Sequence, residues 1–184
     1  PEPEVKDGNT VLVKSTDYTL TYVNNTNAGT ATVTLTGRGN YGGTQNKTFT
    51  ITAKDASGLA IADINPLTYN GTAQTPEPKI RDGNTLLTKD TDYALTYANN
   101  TNAGTATVTV TGQGNYSGTQ NKTFTITAKD ASTLAIAGIN PLAYNGAAHT
   151  PEPEVKDGNT VLIKDTDYTL TYANNTNAGT ATLT

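Results

Sequence analysis

Apolar and polar residues alternate along most of this chain. In the segment DYTLTY, Tyr18, Leu20 and Tyr22 share one parity, and Thr19 and Thr21 share the other. A period of two residues is typical of a β-strand with one buried and one exposed face. The same segment recurs twice further along the chain with little change. The pattern therefore predicts a strand at each of these places, with its threonines outward.

Further strands follow from the same alternation. The segments TATVTVTG (105–112) and NKTFTIT (121–127) place Val108, Val110, Phe124 and Ile126 inward. EVKDGNTVLV predicts a hairpin that turns at Gly8, and LAIADI and PLTYNG predict shorter strands. Because each strong strand is apolar on one face, we expect antiparallel sheets packed face to face. The predicted fold class is all-β, in antiparallel Ig-like β-sandwich modules.

The chain also repeats itself. PEPEVKDGNT at residues 1–10 returns unchanged at 151–160, and PEPKIRDGNT stands at 76–85, so the period is 75 residues. Residues 1–75 and 76–150 agree at 59 positions, and residues 1–34 and 151–184 agree at 30. A period of this length suits a small domain with its own core rather than a solenoid turn.

The strands set the expected domain boundaries. FTITAKDAS closes one set of strands, and LAIADI or LAIAGI opens the next. We predict the C-terminal part of one module in residues 1–53, a complete module in 54–128 and the N-terminal part of a third in 129–184. The joints are short and lack a Gly/Pro/Ser-rich spacer, so we expect a semi-rigid, elongated rod. The chain is interpreted as an excerpt of a longer polypeptide.

The composition argues against some classes of binding partner. Apolar residues make up 34% of the chain, the net charge is −4, and there is no cysteine. An acidic chain without a basic cluster argues against nucleic acid or an anionic membrane as partner. No segment is long and apolar enough to predict membrane insertion.

Residues 54–128 carry a family resemblance. LTYNGTAQTPEP, DYALTYANNTNAGTATVTVTGQGNYSGT and the closing TFTI resemble the MBG-type repeats of bacterial surface proteins, which are grouped with bacterial Ig-like modules. The resemblance extends over the whole chain. It implies an extracellular protein of tandem β-modules at the bacterial cell surface. It implies no enzymatic activity and supplies no catalytic residues.

The residues themselves also predict no enzyme and no cofactor. The single histidine, His149, has Gln74 as its counterpart in the preceding repeat, so a catalytic role would be missing from one of two near-identical copies. Glu2, Glu77 and Glu152 stand between prolines in PEP, which favours a stiff strand entry over half of an acid–base pair.

Two aspartate pairs are weak candidates for a cation site. Asp90 and Asp92, and likewise Asp165 and Asp167, form D-x-D, which can supply oxygen ligands to Ca²⁺. Ser15 replaces the first aspartate in the first repeat. Loss of one carboxylate would cripple a metal site but would hardly disturb a turn, so the prediction is that these residues hold no metal.

Several aromatic residues are assigned structural roles. Tyr41 and Tyr116, in the loop motif GxGNYxG, are predicted to fold back as a tyrosine corner whose hydroxyl binds nearby backbone, with sugar stacking as the alternative. Tyr93 and Tyr97, with Phe124 and Ile126 already named, are predicted to lie in the core.

Lys47 and Lys122 share parity with the inward residues of their strands. A buried lysine needs a partner, and a covalent bond to Asn65 or Asn140 is one alternative to a side chain that reaches the sheet edge.

Two functions from different classes remain open. One is a structural stalk or fibre, in which identical copies supply length. The other is an adhesive module that binds glycan or protein on a host or neighbouring cell, with repetition giving avidity. The expected partners are identical modules placed end to end, either along one covalent chain or between chains that exchange strands in a filament.

Overall fold

The computed structural model describes residues 2–184 and shows an all-β chain, which confirms the predicted fold class. The helical segments in that range are two 3-10 turns of three residues, Ala56–Gly58 and Ala131–Thr133. The chain divides into two compact units, of which the first ends at Ala128 and the second runs from Lys129 to Thr184. The rod arrangement and the assignment of three modules remain predictions.

Residues 2–53 form a hairpin and a three-stranded antiparallel sheet. The strands are β1 (Lys6–Asp7), β2 (Thr10–Val11), β3 (Tyr18–Val23), β4 (Gly29–Gly37) and β5 (Thr44–Ile51). In the hairpin, Asp7 lies opposite Thr10, and Gly8 adopts a φ of 57°. This left-handed conformation is the reason for glycine in the DGN turn. The sheet has the order β3–β4–β5.

Residues 54–128 contain the predicted complete module and form two larger sheets. Its strands are β6 (Lys54–Asp55), β7 (Ala60–Ile61), β8 (Leu67–Thr68), β9 (Ile80–Asp82), β10 (Thr85–Leu86), β11 (Tyr93–Ala98), β12 (Gly104–Gly112), β13 (Tyr116–Ser117) and β14 (Thr119–Thr127). One sheet has the order β11–β12–β14–β8, and the other has the order β10–β9–β7. A two-stranded ladder of β6 and β13 lies beside them.

The core of this region lies between the two larger sheets. Tyr93 and Val110 of the first sheet pack with Ile80 of the second, and with Leu59 and Leu87. A second cluster surrounds β14 and contains the residues Ala106, Val108, Phe124 and Ile126, with Ile64, Leu67, Tyr69, Leu95 and Tyr97 packed against it. Residues from both sheets meet in one core, as a sandwich requires.

The predicted register of β12 and β14 is confirmed. Val108 and Val110 are fully buried, and Phe124 and Ile126 are almost so. Thr125 is exposed on the other face of β14, whereas Thr107 on the central strand β12 is half-buried. Alternation therefore identifies the core face correctly, but the outward threonines are not all equally accessible.

Two short pairings are parallel, which the one-face pattern does not predict. Strand β14 pairs in parallel with β8, with Ile126 opposite Leu67, and β13 pairs in parallel with β6. A parallel pair needs a long crossover between its strands. Here the intervening β-strands of the module supply that crossover, so no helix is required.

The second unit contains five short strands. They are β15 (Ala135–Ile136), β16 (Val155–Asp157), β17 (Thr160–Val161), β18 (Tyr172–Ala173) and β19 (Thr182–Leu183). One sheet has the order β15–β16–β17, and β18 pairs with β19. Val155 is buried, whereas several large apolar side chains of this unit remain exposed.

Candidate functional site

The loop between β12 and β14 is folded tightly back on the end of β12. The Gly112 amide donates to the Gly118 carbonyl at 2.9 Å, and the Tyr116 amide donates to the Gln113 carbonyl at 3.0 Å. A Cβ on Gly112 would lie 2.6 Å from the Ser117 nitrogen, a clash that forbids any larger residue without a backbone shift. The motif GxGNYxG is therefore a turn, as predicted, but a compact one rather than the wide turn that its glycines suggest, and Asn115 projects from its tip.

Asn115 joins two consecutive repeats. Its Oδ1 accepts a hydrogen bond of 2.7 Å from the Ala28 amide, and its Nδ2 donates to Asn27 Oδ1 at 3.1 Å. Its own carbonyl accepts a bond of 2.9 Å from the Lys54 amide. One asparagine thus contacts the NNTNAG loop of residues 2–53 and the first strand of residues 54–128. The two side-chain bonds hold residues 2–53 against residues 54–128. The bond from Lys54 fixes the loop on the first strand of its own module.

Lys54, whose amide bonds to Asn115, also forms an ion pair with Asp82. Lys54 Nζ lies 2.5 Å from Asp82 Oδ1, and the Tyr116 hydroxyl donates to Asp82 Oδ2 at 3.3 Å. The bond from Lys54 holds the pKa of the Asp82 carboxyl below its usual value, and it raises the pKa of Lys54. Burial raises the pKa of the Tyr116 hydroxyl, and the Asp82 charge adds to the effect. The cluster therefore favours ionised Asp82 and neutral Tyr116.

These contacts correct the predicted tyrosine corner. The hydroxyls of Tyr116 and Tyr41 contact the carboxylates of Asp82 and Asp7, at 3.3 and 3.5 Å, and not nearby backbone. The reason is geometric, because the tight loop directs the ring toward the DGN hairpin.

The tyrosine that does bind backbone is Tyr97. Its hydroxyl donates to the Pro76 carbonyl at 2.7 Å, 21 residues upstream, and Tyr172 makes the same bond to Pro151 in the second unit. Tyr97 is partly buried against the core, and Tyr93 is buried with 6% of its surface exposed. The long-range bond ties the PEP segment to β11.

The aspartates of the D-x-D motif stabilise a turn. Asp92 Oδ2 accepts a hydrogen bond of 2.8 Å from the Thr88 amide, and Asp167 makes the equivalent bond to Ile163. Asp90 and Asp165 occupy the left-handed position of the same turn, with φ of 64° and 65°. Among residues 2–184, no three acidic, histidine or cysteine side chains are grouped as a metal site would need.

Lys122 and the lysines that follow each PEP segment form ion pairs with carboxylates. Lys122 Nζ lies 2.7 Å from Asp63 Oδ1, so its ammonium contacts a carboxylate and not Asn65. In each repeat, the glutamate of PEP pairs with a lysine 12 residues later, as Glu77 does with Lys89. The PEP glutamates thus have surface ion pairs, which contribute little to stability.

Hydrogen bonds of its own backbone hold His149 in position. Its amide donates to the Asn175 carbonyl at 2.8 Å, and Asn175 Nδ2 donates back to the His149 carbonyl at 2.9 Å. Gln74 and Asn100 make the same pair of bonds in the preceding repeat. The Nε2 atom of His149 is buried without a partner among the described residues.

Sequence reasoning assigned no role to Asn115. The motif GxGNYxG indicates a turn, but nothing in one copy of it shows that the asparagine at its tip reaches a neighbouring repeat. The signal that could have found it is the pairing of two constant loops, GNY and NTNAG, in each 75-residue period.

The comparisons give one family. Residues 2–53 and 57–128 match the profile of the lipoprotein associated domain. The two matched segments correspond to the first and second repeats. Neither a curated protein nor a solved structure matches the chain. No helix within residues 2–184 has the length and apolar character needed to cross a membrane.

Proposed function

The chain belongs to the lipoprotein associated domain family, and from this premise we propose that it is a structural spacer within a bacterial surface protein. Family membership identifies a surface-associated bacterial protein built of repeated domains. The proposed finer role is a stalk or fibre that holds a distal part of the protein away from the cell. The resemblance to MBG-type repeats supports placing that role outside the cell.

The observation that carries the proposal is the Asn115 joint. A spacer keeps its length when consecutive repeats hold a fixed orientation, and the two hydrogen bonds of the Asn115 side chain to Ala28 and Asn27 hold that orientation. The short link between the repeats adds to it, because few residues are free to reorient. Near-identical repeats suit this role, since length requires copies and not diversity. The role requires no catalytic residue, cofactor or metal.

The NNTNAG loop bears on the adhesive alternative. The loop is a concave segment that recurs three times, at residues 24–30, 99–105 and 174–180, and is rich in amide groups that could bind a sugar. In the first copy, however, Asn115 of the next repeat occupies it. The loop is better explained as a contact surface between repeats than as a ligand site.

The test compares proteins with increasing numbers of 75-residue repeats by small-angle X-ray scattering. A spacer is expected to gain a constant increment in maximum dimension with each repeat. Compact or widely variable dimensions would contradict the proposal. A glycan array probed with the same proteins tests the alternative, because binding that strengthens with repeat number indicates adhesion through avidity.

A further inference from the structure

Two strand pairs in residues 54–128 connect the beginning of this module to its end. β6 pairs in parallel with β13, and β8 pairs in parallel with β14. β6 is the first strand of the module, and β14 is its last, ending directly before Ala128. Further chain precedes Lys54 and follows Ala128. A pull along the chain therefore enters the module at its first strand and leaves it from its last.

The parallel direction of these pairs determines how such a pull acts on them. The early strand is drawn toward its own start and the late strand toward its own end, so the two forces oppose each other along the strand axis. The hydrogen bonds of a parallel pair cross from strand to strand, so this load shears them together. If the same two strands were antiparallel, the pulled ends would lie side by side, and the bonds would open one after another.

Additional bonds reinforce the pair of β8 and β14. The Tyr69 amide donates to the Thr127 carbonyl at 2.8 Å, and Thr127 Oγ1 donates to the Leu67 carbonyl at 3.2 Å. The Leu67 side chain lies opposite Ile126 and packs against the apolar cluster that contains Phe124. Because register determines which side chains meet, sliding β8 along β14 would take Leu67 out of this place. The slide breaks hydrogen bonds and an apolar contact at the same time.

Similar bonds hold the pair of β6 and β13. The Lys54 amide donates to the Asn115 carbonyl at 2.9 Å, and Lys54 Nζ lies 2.5 Å from Asp82 Oδ1 of β9. Directly after β6, the chain is anchored in the core by Ala56 and Leu59, which are 0% and 4% exposed. The first strand of the module is therefore attached at its backbone, at a charged side chain and through the buried residues that follow it.

We propose that the module of residues 54–128 bears tension along the chain, and that the pairs β6–β13 and β8–β14 form the mechanical clamp that resists it. The inference rests on the proposed spacer role and deepens it, because a stalk is loaded whenever its distal part is pulled. Survival under force depends on the rate of unfolding. Bonds that must break together slow this rate more than bonds that break singly, so the clamp protects the module in the direction of the chain.

Single-molecule force spectroscopy on the full chain tests the clamp by pulling in two directions. The chain has no cysteine, so two introduced cysteines define where the handles attach. Thr52→Cys with Ala128→Cys loads the clamp in shear, whereas Thr68→Cys with Ala128→Cys peels β8 from β14; all three residues are exposed. At the same force we expect unfolding to be about tenfold slower in shear, since each hydrogen bond broken in concert changes the rate by about twofold to tenfold. Equal rates in the two directions would overturn the proposal.

A pair of threonine variants tests where the clamp lies. Thr127→Val removes the hydroxyl that donates to the Leu67 carbonyl and is expected to speed unfolding in the shear direction by about twofold to tenfold. Thr125→Val is the matched control, because Thr125 is also exposed on β14 and its hydroxyl makes no hydrogen bond to β8 within residues 2–184. Equal effects of the two variants would contradict a clamp at β8 and β14.

These measurements and the scattering test of the spacer role fail independently. A constant gain in length with each repeat, together with equal unfolding rates in the two pulling directions, would overturn the clamp and leave the spacer role intact. Variable dimensions together with slower unfolding in shear would contradict the spacer role, while the clamp would stand as a property of the module.

Discussion

The Ala28 amide and the Asn115 side chain lie 87 positions apart in sequence and are joined by a hydrogen bond of 2.7 Å. This bond crosses from one repeat to the next. Asn115 also donates to Asn27 Oδ1 from its Nδ2, so both ends of its amide group are used. The side chain therefore fixes an orientation in addition to a distance.

The first prediction concerns this joint. Asn115→Asp keeps an oxygen that accepts from the Ala28 amide. It replaces the donating Nδ2 by a carboxylate oxygen, which would repel Asn27 Oδ1. Asn115→Ala removes both bonds, each worth about 0.5–1 kcal/mol at an accessible site. We expect both variants to loosen the two repeats, seen as a broader distribution of dimensions in X-ray scattering. Asn40→Ala, at the same loop position of the first repeat, is the control and should change nothing.

The second prediction compares two phenylalanines in identical strands. Phe124→Ala should lower the free energy of unfolding by about 3–5 kcal/mol, because Phe124 is buried in the core. Phe49→Ala should cost clearly less, since its ring is half-exposed. Thr125→Lys should stay within about 0.5 kcal/mol of the parent. Urea unfolding measures all three, and equal losses at Phe124 and Thr125 would contradict the register.

Alternation along single strands was enough to predict the fold class and the residues that β12 and β14 contribute to the core. It did not predict Leu59, Ile80 and Leu87, which complete the cluster around Tyr93 and Val110. Val108 and Phe124 are inward because period two leaves one face for the core, and the structure places them there. The joint at Asn115 was not predictable in this way. Its contacts lie between loops of different repeats, and loop geometry depends on close approaches, such as that at Gly112, which no periodicity encodes.

The tyrosines show the same limit of prediction from sequence. A motif could predict that Tyr116 folds back, but not that a carboxylate would meet its hydroxyl. Tyr97 was assigned to the core from its parity, and it packs there, yet its bond to Pro76 depends on how the PEP segment crosses β11. Polar partners of this kind are set by tertiary packing rather than by local pattern.

The third prediction concerns pH. The bond from Lys54 holds the pKa of Asp82 below its reference value of 3.8. A carboxyl with a lowered folded-state pKa contributes stability that is present above the unfolded-state pKa and is lost as the pH falls through the folded-state pKa. Unfolding measured between pH 6 and about pH 3 should show this loss. Asp82→Asn should flatten that dependence, whereas Asp7→Asn, at the equivalent hairpin position, should leave it in place.

The fourth prediction separates two tyrosines of β11. Tyr97→Phe removes the hydroxyl that donates to the Pro76 carbonyl and should cost about 0.5–1.5 kcal/mol. Tyr93→Phe is the matched control, because its ring is buried but its hydroxyl makes no hydrogen bond among the described residues. Thermal unfolding of the two variants should therefore differ. Equal melting temperatures would show that the bond to the PEP segment contributes nothing.

The fifth prediction concerns Gln74 and His149, which hold equivalent positions in consecutive repeats. Gln74 Nε2 donates to the Thr68 carbonyl at 3.0 Å, whereas His149, its counterpart, has a buried Nε2 without a partner among the described residues. A buried polar atom left unpaired costs about 1–3 kcal/mol. His149→Gln should recover part of this cost, because the backbone bonds around both positions are the same.

The measurement for His149→Gln is urea unfolding followed by NMR signals from the second unit. The reciprocal change, Gln74→His, should destabilise the first unit by a similar amount, because it removes the bond to Thr68 and buries an imidazole nitrogen. Stabilisation in one direction and loss in the other would establish that the glutamine bond, and not the general bulk of the side chain, determines the difference. If His149→Gln brings no gain, the unpaired imidazole nitrogen has no measurable cost and the prediction is wrong.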